Sequence, residues 1–184
     1  MTQGYLDALR SQLPAAQLEA VLAAVDPKTI STIEAAGRTD WLPAELQLDI
    51  DGATYQVLGE DGLRSFNRNY AANSAEIPMF APIARRVLAL FGGAEGALKI
   101  LPRTWSFIAR NCGSRSYETV EKGHGRVRYE GLPVSLRKPS FIATSEGSVL
   151  GILDFSKADG ARAVHDPTIR IEDGVVQIDA YWLA

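Results

Sequence analysis

The side chains able to do chemistry are few and scattered along the 184 residues. His124 stands between Gly123 and Gly125, and His165 precedes Asp166 and Pro167. Two separated histidines with no cysteine or carboxylate at ligand spacing do not make a metal site. Both read as surface turn residues. Cys112 follows Asn111 at the end of a predicted helix, beside Arg110 and Arg115. The cations would lower its pKa, whereas the negative end of a helix disfavours a thiolate. A half-buried structural thiol is the preferred reading. The glycines at 92–93 and 123–125 lack the lysine and spacing of a phosphate-binding loop. Ser145 and Ser148 sit in no Gly-x-Ser-x-Gly elbow, and no Ser/His/Asp set can be assembled. Glu60 and Asp61 read as a charge pair at a helix N-terminus rather than a catalytic dyad. Trp105, Phe107, Phe141 and Trp182 fall at helix and strand positions where aromatics are more often core than pocket wall. With no acid, base and nucleophile in one arrangement, a non-enzymatic protein is expected.

The whole chain bounds the answer further. Its length suits one domain with a sizeable core, divided into a mainly helical part over 1–112 and a hairpin-helix-hairpin part over 113–184. Apolar residues make up 46% and charged residues 22%, an ordinary globular balance. A net charge of −3 argues against general nucleic-acid affinity, since no global basic excess exists to release counterions. No apolar run approaches the ~20 residues a membrane span needs. The N-terminal residues have neither a basic start nor an apolar core, and one cysteine excludes an internal disulfide, so a cytoplasmic location is expected. The charge is uneven: segment 99–138 carries a balance of +6 and the remainder −9. Such asymmetry marks either an anion-facing surface or a solvated sheet face.

The elements that must position these residues begin with helices. Apolar spacing predicts a helix through Tyr5, Leu6 and Leu9 ending at Pro14, and a second through Leu18, Val21 and Val25. Asp26 and Pro27 supply a cap and a first helical residue for a third over 27–36. A fourth is expected to start at Trp41, capped by Asp40 and weakened at Asp51-Gly52, with 53–58 either continuing after a kink or irregular. Helices over 61–73, 79–91 and 95–111 follow, the last kinked by Pro102 and laid against a sheet. The period then changes. Strands over 116–122 and 126–132 flank a glycine-rich turn, and Arg126 and Arg128 alternate with Val127 and Tyr129, which puts both arginines on the outer face. A helix over 139–155 carries Phe141, Ser145, Val149 and Leu153, and its Gly147 and Gly151 admit a close-approaching backbone or flat group. Strands over 161–171 and 175–182 close the sequence. Two hairpins split by a helix favour an α+β fold: helices packed on an antiparallel sheet of about four strands.

The run from Gly92 to Trp105, the 116–132 hairpin, the Phe141, Gly147 and Gly151 helix, and the final hairpin ending in Trp182 together carry a likeness. The chain resembles an uncharacterised family abundant in myxobacteria. More broadly it resembles the superfamily of haem-nitric-oxide-binding (H-NOX) sensors, vinyl-reductase-like domains and TRAPP trafficking subunits. The resemblance implies a hydrophobic pocket between helices and sheet that holds haem, holds an acyl chain, or is closed. H-NOX sensors take a proximal histidine from a helix before the sheet, and the matching residues 103–110 contain none. Their Tyr-x-Ser-x-Arg run, which grips the haem propionates, is matched here by Tyr129-Glu-Gly-Leu-Pro133, which keeps only the tyrosine. No cofactor is therefore expected, because haem would lack both axial ligand and anion clamp. The leading reading is a non-catalytic regulatory or adaptor domain that works through protein contacts or self-association, with Arg126 and Arg128 as contact residues. The alternative is a sensor holding an apolar small molecule or acyl chain against Trp105, Ile108, Cys112, Phe141 and Ser145.

Overall fold

The computed structural model describes residues 2–37, 40–74 and 93–183. The helix expected over 79–91 lies outside the described residues. Three short helices open the chain: α1 (Thr2–Gln12), α2 (Ala15–Ala24) and α3 (Pro27–Ala35). The Asp26 carboxylate caps α3 by accepting from the Lys28 amide at 2.8 Å, with Pro27 in its first turn.

Helix α4 (Ala44–Ser74) differs from expectation at both of its predicted weak points. It starts after Pro43, not at Trp41, because a residue preceding proline is pushed out of the helical region. Asp40 instead accepts from the Gly37 amide at 2.7 Å, closing a loop rather than capping a helix. Asp51-Gly52 does not interrupt α4, and 53–58 are helical. The break falls at Gly59, whose φ of 71° lies in the left-handed region that side chains avoid. Two helical halves thus share one element. Glu60 and Asp61 open the second half, and both pair with Arg64.

Pro102 does more than kink the expected 95–111 helix. The segment is two helices, α5 (Gly93–Lys99) and α6 (Leu101–Ile108), because proline has no N–H to continue the α5 ladder. Strands β1 (Ser114–Glu121) and β2 (His124–Glu130) form the first hairpin. Helix α7 (Pro139–Phe155) crosses the sheet, and β3 (Arg162–His165) and β4 (Val176–Tyr181) form the second hairpin. The strand expected over 161–171 ends at His165, where Pro167 and an Asp166 side chain bound to the Thr168 amide at 2.9 Å turn the chain away. All pairings are antiparallel, in the order β1-β2-β4-β3.

Two cores result. Tyr5, Leu6, Leu9, Val21, Ile33, Ile50, Ala53 and Phe66 fill the N-terminal one. Leu98, Leu101, Val127, Tyr129, Phe141, Val149, Leu153 and Ile178 fill the one between α5, α6, α7 and the sheet. Helix α7 lies directly against α4. A Cβ on Gly147 would overlap the Arg64 carbonyl oxygen, and one on Gly151 the Arg68 carbonyl oxygen. The expected close approach at these glycines is therefore that of another backbone.

Candidate functional site

Of the residues expected to line a pocket, Trp105, Cys112 and Phe141 pack into one core among the described residues. Tyr129 is fully buried at the centre. Trp105 meets it edge-on at 5.4 Å between ring centroids, and so does Phe141. Phe141, Val149 and Leu153 mark the sheet-facing stripe of α7, and buried Ser145 falls in that stripe by spacing. Cys112 is buried in the same core, where burial and then the charge of Glu45 push its thiol upward. Its Sγ donates to the Arg110 carbonyl at 3.1 Å, as an inert structural thiol does. Ile108 is half-buried at the end of α6, and the Phe107 side chain lies outside the described residues.

Trp105 itself is half-buried rather than sealed. Its Nε1 donates to the Gly113 carbonyl at 3.2 Å, and the Arg115 guanidinium lies 5.1 Å from its ring. Because Trp105 is only half-buried, Trp105→Ala is expected to cost about 1–3 kcal/mol, below the ~3–5 of a sealed core aromatic. Urea unfolding of the variant checks this, and a loss beyond ~4 kcal/mol would contradict the half-buried packing.

The two histidines are not free turn residues. His124 begins β2, its Nε2 lies 2.9 Å from Asp179 Oδ1, and its ring stacks on Tyr181 at 4.3 Å. His165 belongs to β3, and its amide donates to Glu146 Oε1 at 2.7 Å. Arg126 and Arg128 share the outer sheet face as expected. The register sets Glu118 opposite Arg126 on one side and Asp179 on the other, at 3.7 and 3.2 Å. Arg128 binds Glu130 at 2.8 Å and Gln177 at 3.1 Å. The face is a neutralised network, not a bare cationic patch.

Among the described residues, neither histidine is placed to serve haem as an axial ligand. His124 is spent on the outer face, and the cleft beside His165 is only about 210 Å³, below the ~300 Å³ of small-ligand pockets. In the place of the propionate grip, Tyr129 is buried, and Gly131 and Pro133 stand where the serine and arginine would be and have no side-chain donor for an anion. Among the described residues no group of three histidine, cysteine or carboxylate side chains could hold a metal ion. No helix among them is long and apolar enough to cross a membrane.

Sequence reasoning missed two polar clusters at the seam between the cores. In the first, Asp51 is buried in the first half of α4. It accepts from Gln47 Nε2 at 3.1 Å and from Thr144 Oγ1 of α7 at 3.4 Å, with the Tyr5 hydroxyl of α1 close by. Asn67, in the second half of α4, donates to Tyr5 Oη at 3.1 Å. In the second, Arg64 Nε donates to buried Glu146 at 2.6 Å, and Arg68 forms a two-pronged pair with Asp154 at 2.6 and 2.8 Å. The sequence signal for the first was a carboxylate placed between Ile50 and Ala53, inside an apolar phase. For the second it was arginines four apart on one helix and acids flanking the paired glycines on another.

No family model matches this sequence, and no curated protein matches it. Solved structures do. The chain is similar to the unliganded Fe(II) H-NOX protein from K. algicida, with 9% identity and a TM-score of 0.67 over 100% of this chain and 95% of that one. It is similar to an H-NOX protein from S. oneidensis in the Fe(II)NO state, with 11% identity and a TM-score of 0.62 over all of both chains. It is also similar to the IWP-051-bound H-NOX from Shewanella woodyi, with 12% identity and a TM-score of 0.57 over 98% and 91%. The protein has an H-NOX-like α+β fold. At these identities the likeness concerns the fold alone.

Proposed function

We propose that this chain is a non-catalytic regulatory or adaptor domain, an H-NOX-like fold that has lost its haem site and acts through protein contacts. The observation that carries the reading is the packing among the described residues: Tyr129, Trp105 and Phe141 stack edge-on between helices and sheet, and neither histidine joins them. Equimolar haem added to the purified protein is expected to give no stoichiometric Soret band. A one-to-one band lost on replacing a single side chain would overturn the reading.

The proposed occupant of the outer sheet face is a second copy, because the +6 of segment 99–138 complements the −9 of the remainder. Arg126 and Arg128 would contribute oriented donors rather than net charge, since acids on their own face already neutralise them. Because segment charge drives the approach of the two copies, the associated mass is expected to fall as salt rises, and to fall to the monomer at every salt concentration in an Arg126→Glu/Arg128→Glu variant. Sedimentation across a salt series measures both. The same mass for both proteins at every salt concentration would leave this face as plain solvated surface.

A second reading, small-molecule sensing, rests on a different place from the one expected. An open cleft of about 350 Å³ lies between the α1–α2 corner and the Gly59 kink, lined by Leu13, Pro14, Val57, Leu58, Phe66 and Asn69 among others, none of them charged. Its size falls within the range of ligand pockets, and its lining suits a neutral amphipathic molecule.

A further inference from the structure

Among the described residues, buried Asp51 has no cation beside it. The described groups around it are uncharged: Tyr5 from α1, Gln47 one turn back on α4, and Thr144 from α7. Glu146, by contrast, has Arg64, and Asp154 has Arg68. The Asp51 cluster also has a particular place. It joins α1 to both halves of α4, through Asp51 before the Gly59 kink and Asn67 after it, and to α7 of the other core.

We propose that the Tyr5–Asp51–Asn67–Thr144 cluster is a proton-operated latch, in which a neutral Asp51 holds α1 closed against α4 and α7 and an ionised Asp51 loosens it. Ionisation places a charge in a buried seam where the described neighbours are neutral donors, and such a charge is costly to bury. Lifting α1 lets water reach the carboxylate and relieves that cost. Tyr5 stays a donor throughout, because burial and then the nearby Asp51 charge push its hydroxyl well above the ordinary phenol range.

The geometry sets the sign. Burial raises Asp51 from 3.8 to about 6 in the closed state. A group raised in the closed state favours closure at low pH. That contribution is complete below about pH 4 and is lost as the pH rises through 6. The span of roughly two units corresponds to about a hundredfold in the closing equilibrium.

Amide hydrogen exchange in α1, with rates corrected for intrinsic chemistry and referred to β2 and β4, reads this directly. For the wild type, protection of the Leu6 and Leu9 region is expected to fall up to about a hundredfold between pH 4 and pH 7. In an Asp51→Asn variant, which mimics the neutral acid, it should stay flat. Equal change in both proteins, or none in either, would overturn the latch. Should the variant fail to fold, carboxyl ¹³C titration of the wild type decides: a midpoint near 6 supports the proposal, and one at or below 3.8 overturns it. Tyr5→Phe, which removes a donor to the charged form, should move that midpoint upward, and an unchanged midpoint would remove Tyr5 from the latch.

Discussion

Replacing both Gly147 and Gly151 by alanine is expected to unfold this protein or leave it a loosely packed collapsed state. At each position the new Cβ would land on a main-chain carbonyl of α4, that of Arg64 or Arg68. It would also stand 2.8 Å from Asn67 Cβ at residue 147 and 2.6 Å from Ala71 Cβ at residue 151. Side chains can rotate away from an intruding methyl, but the backbone of a packed helix cannot. Overpacking typically costs ~1–3 kcal/mol when side chains yield. A rigid double collision spanning one turn of two helices should exceed that, against a total stability of only ~5–15 kcal/mol. Moving α7 off α4 would separate Arg64 from Glu146 and Arg68 from Asp154 as well. Near-ultraviolet circular dichroism and urea unfolding of the single and double variants test this. A double variant within ~1 kcal/mol of wild type would mean that α4 and α7 are not in backbone contact.

The second large effect concerns Arg64. Glu146 has a side chain only 6% exposed, and its two oxygens are held by Arg64 Nε and by the His165 amide. Arg64→Met removes the one cation and leaves a buried carboxylate with a single neutral donor. Breaking one side of a buried pair costs about 3–5 kcal/mol. The double variant Arg64→Met/Glu146→Gln should recover most of this, since it removes the stranded charge and keeps an acceptor for His165. A coupling energy of ~2 kcal/mol or more in the double-mutant cycle is the expected result. Purely additive single effects would show that the pair acts only as surface charge.

How much of this was legible in the sequence depended on whether the cause was local. The β2 pattern of Arg126, Val127, Arg128 and Tyr129 gave the sheet face directly, because strand periodicity is a short-range property. Asp26-Pro27 gave the start of α3 for the same reason. Boundaries set by proline were half-read: Pro102 as a kink rather than a break, and Pro43 not at all. Gly59 was passed over in favour of Asp51-Gly52. By propensity the latter pair looks like the weaker helix, but Asp51 is held in place by residues 46 before it and 93 after it in the chain. Trp105, Phe141 and Cys112 lie in one core cluster, and Tyr129 packs between the two aromatic rings, an inward position that no spacing rule converts into volume. The polar clusters at the seam are entirely long-range and were not visible.

The sheet order carries a consequence for biosynthesis. The β4 strand, last in sequence, lies between β2 and β3. A ribosome that has released the first hairpin must still add the 45 residues separating Glu130 from Val176 before either neighbour of β4 finds its partner. At the usual pace of translation that interval is roughly 2–9 s. Throughout it Val127 and Tyr129 sit on a two-stranded ribbon whose inner edge is unpaired, a form marginally stable by itself and prone to join another nascent chain. The N-terminal helices, whose described core residues have all emerged with α4, face no such wait. Pulse-labelled stalled chains should therefore gain protease resistance in two stages, the second only after Tyr181 has been made.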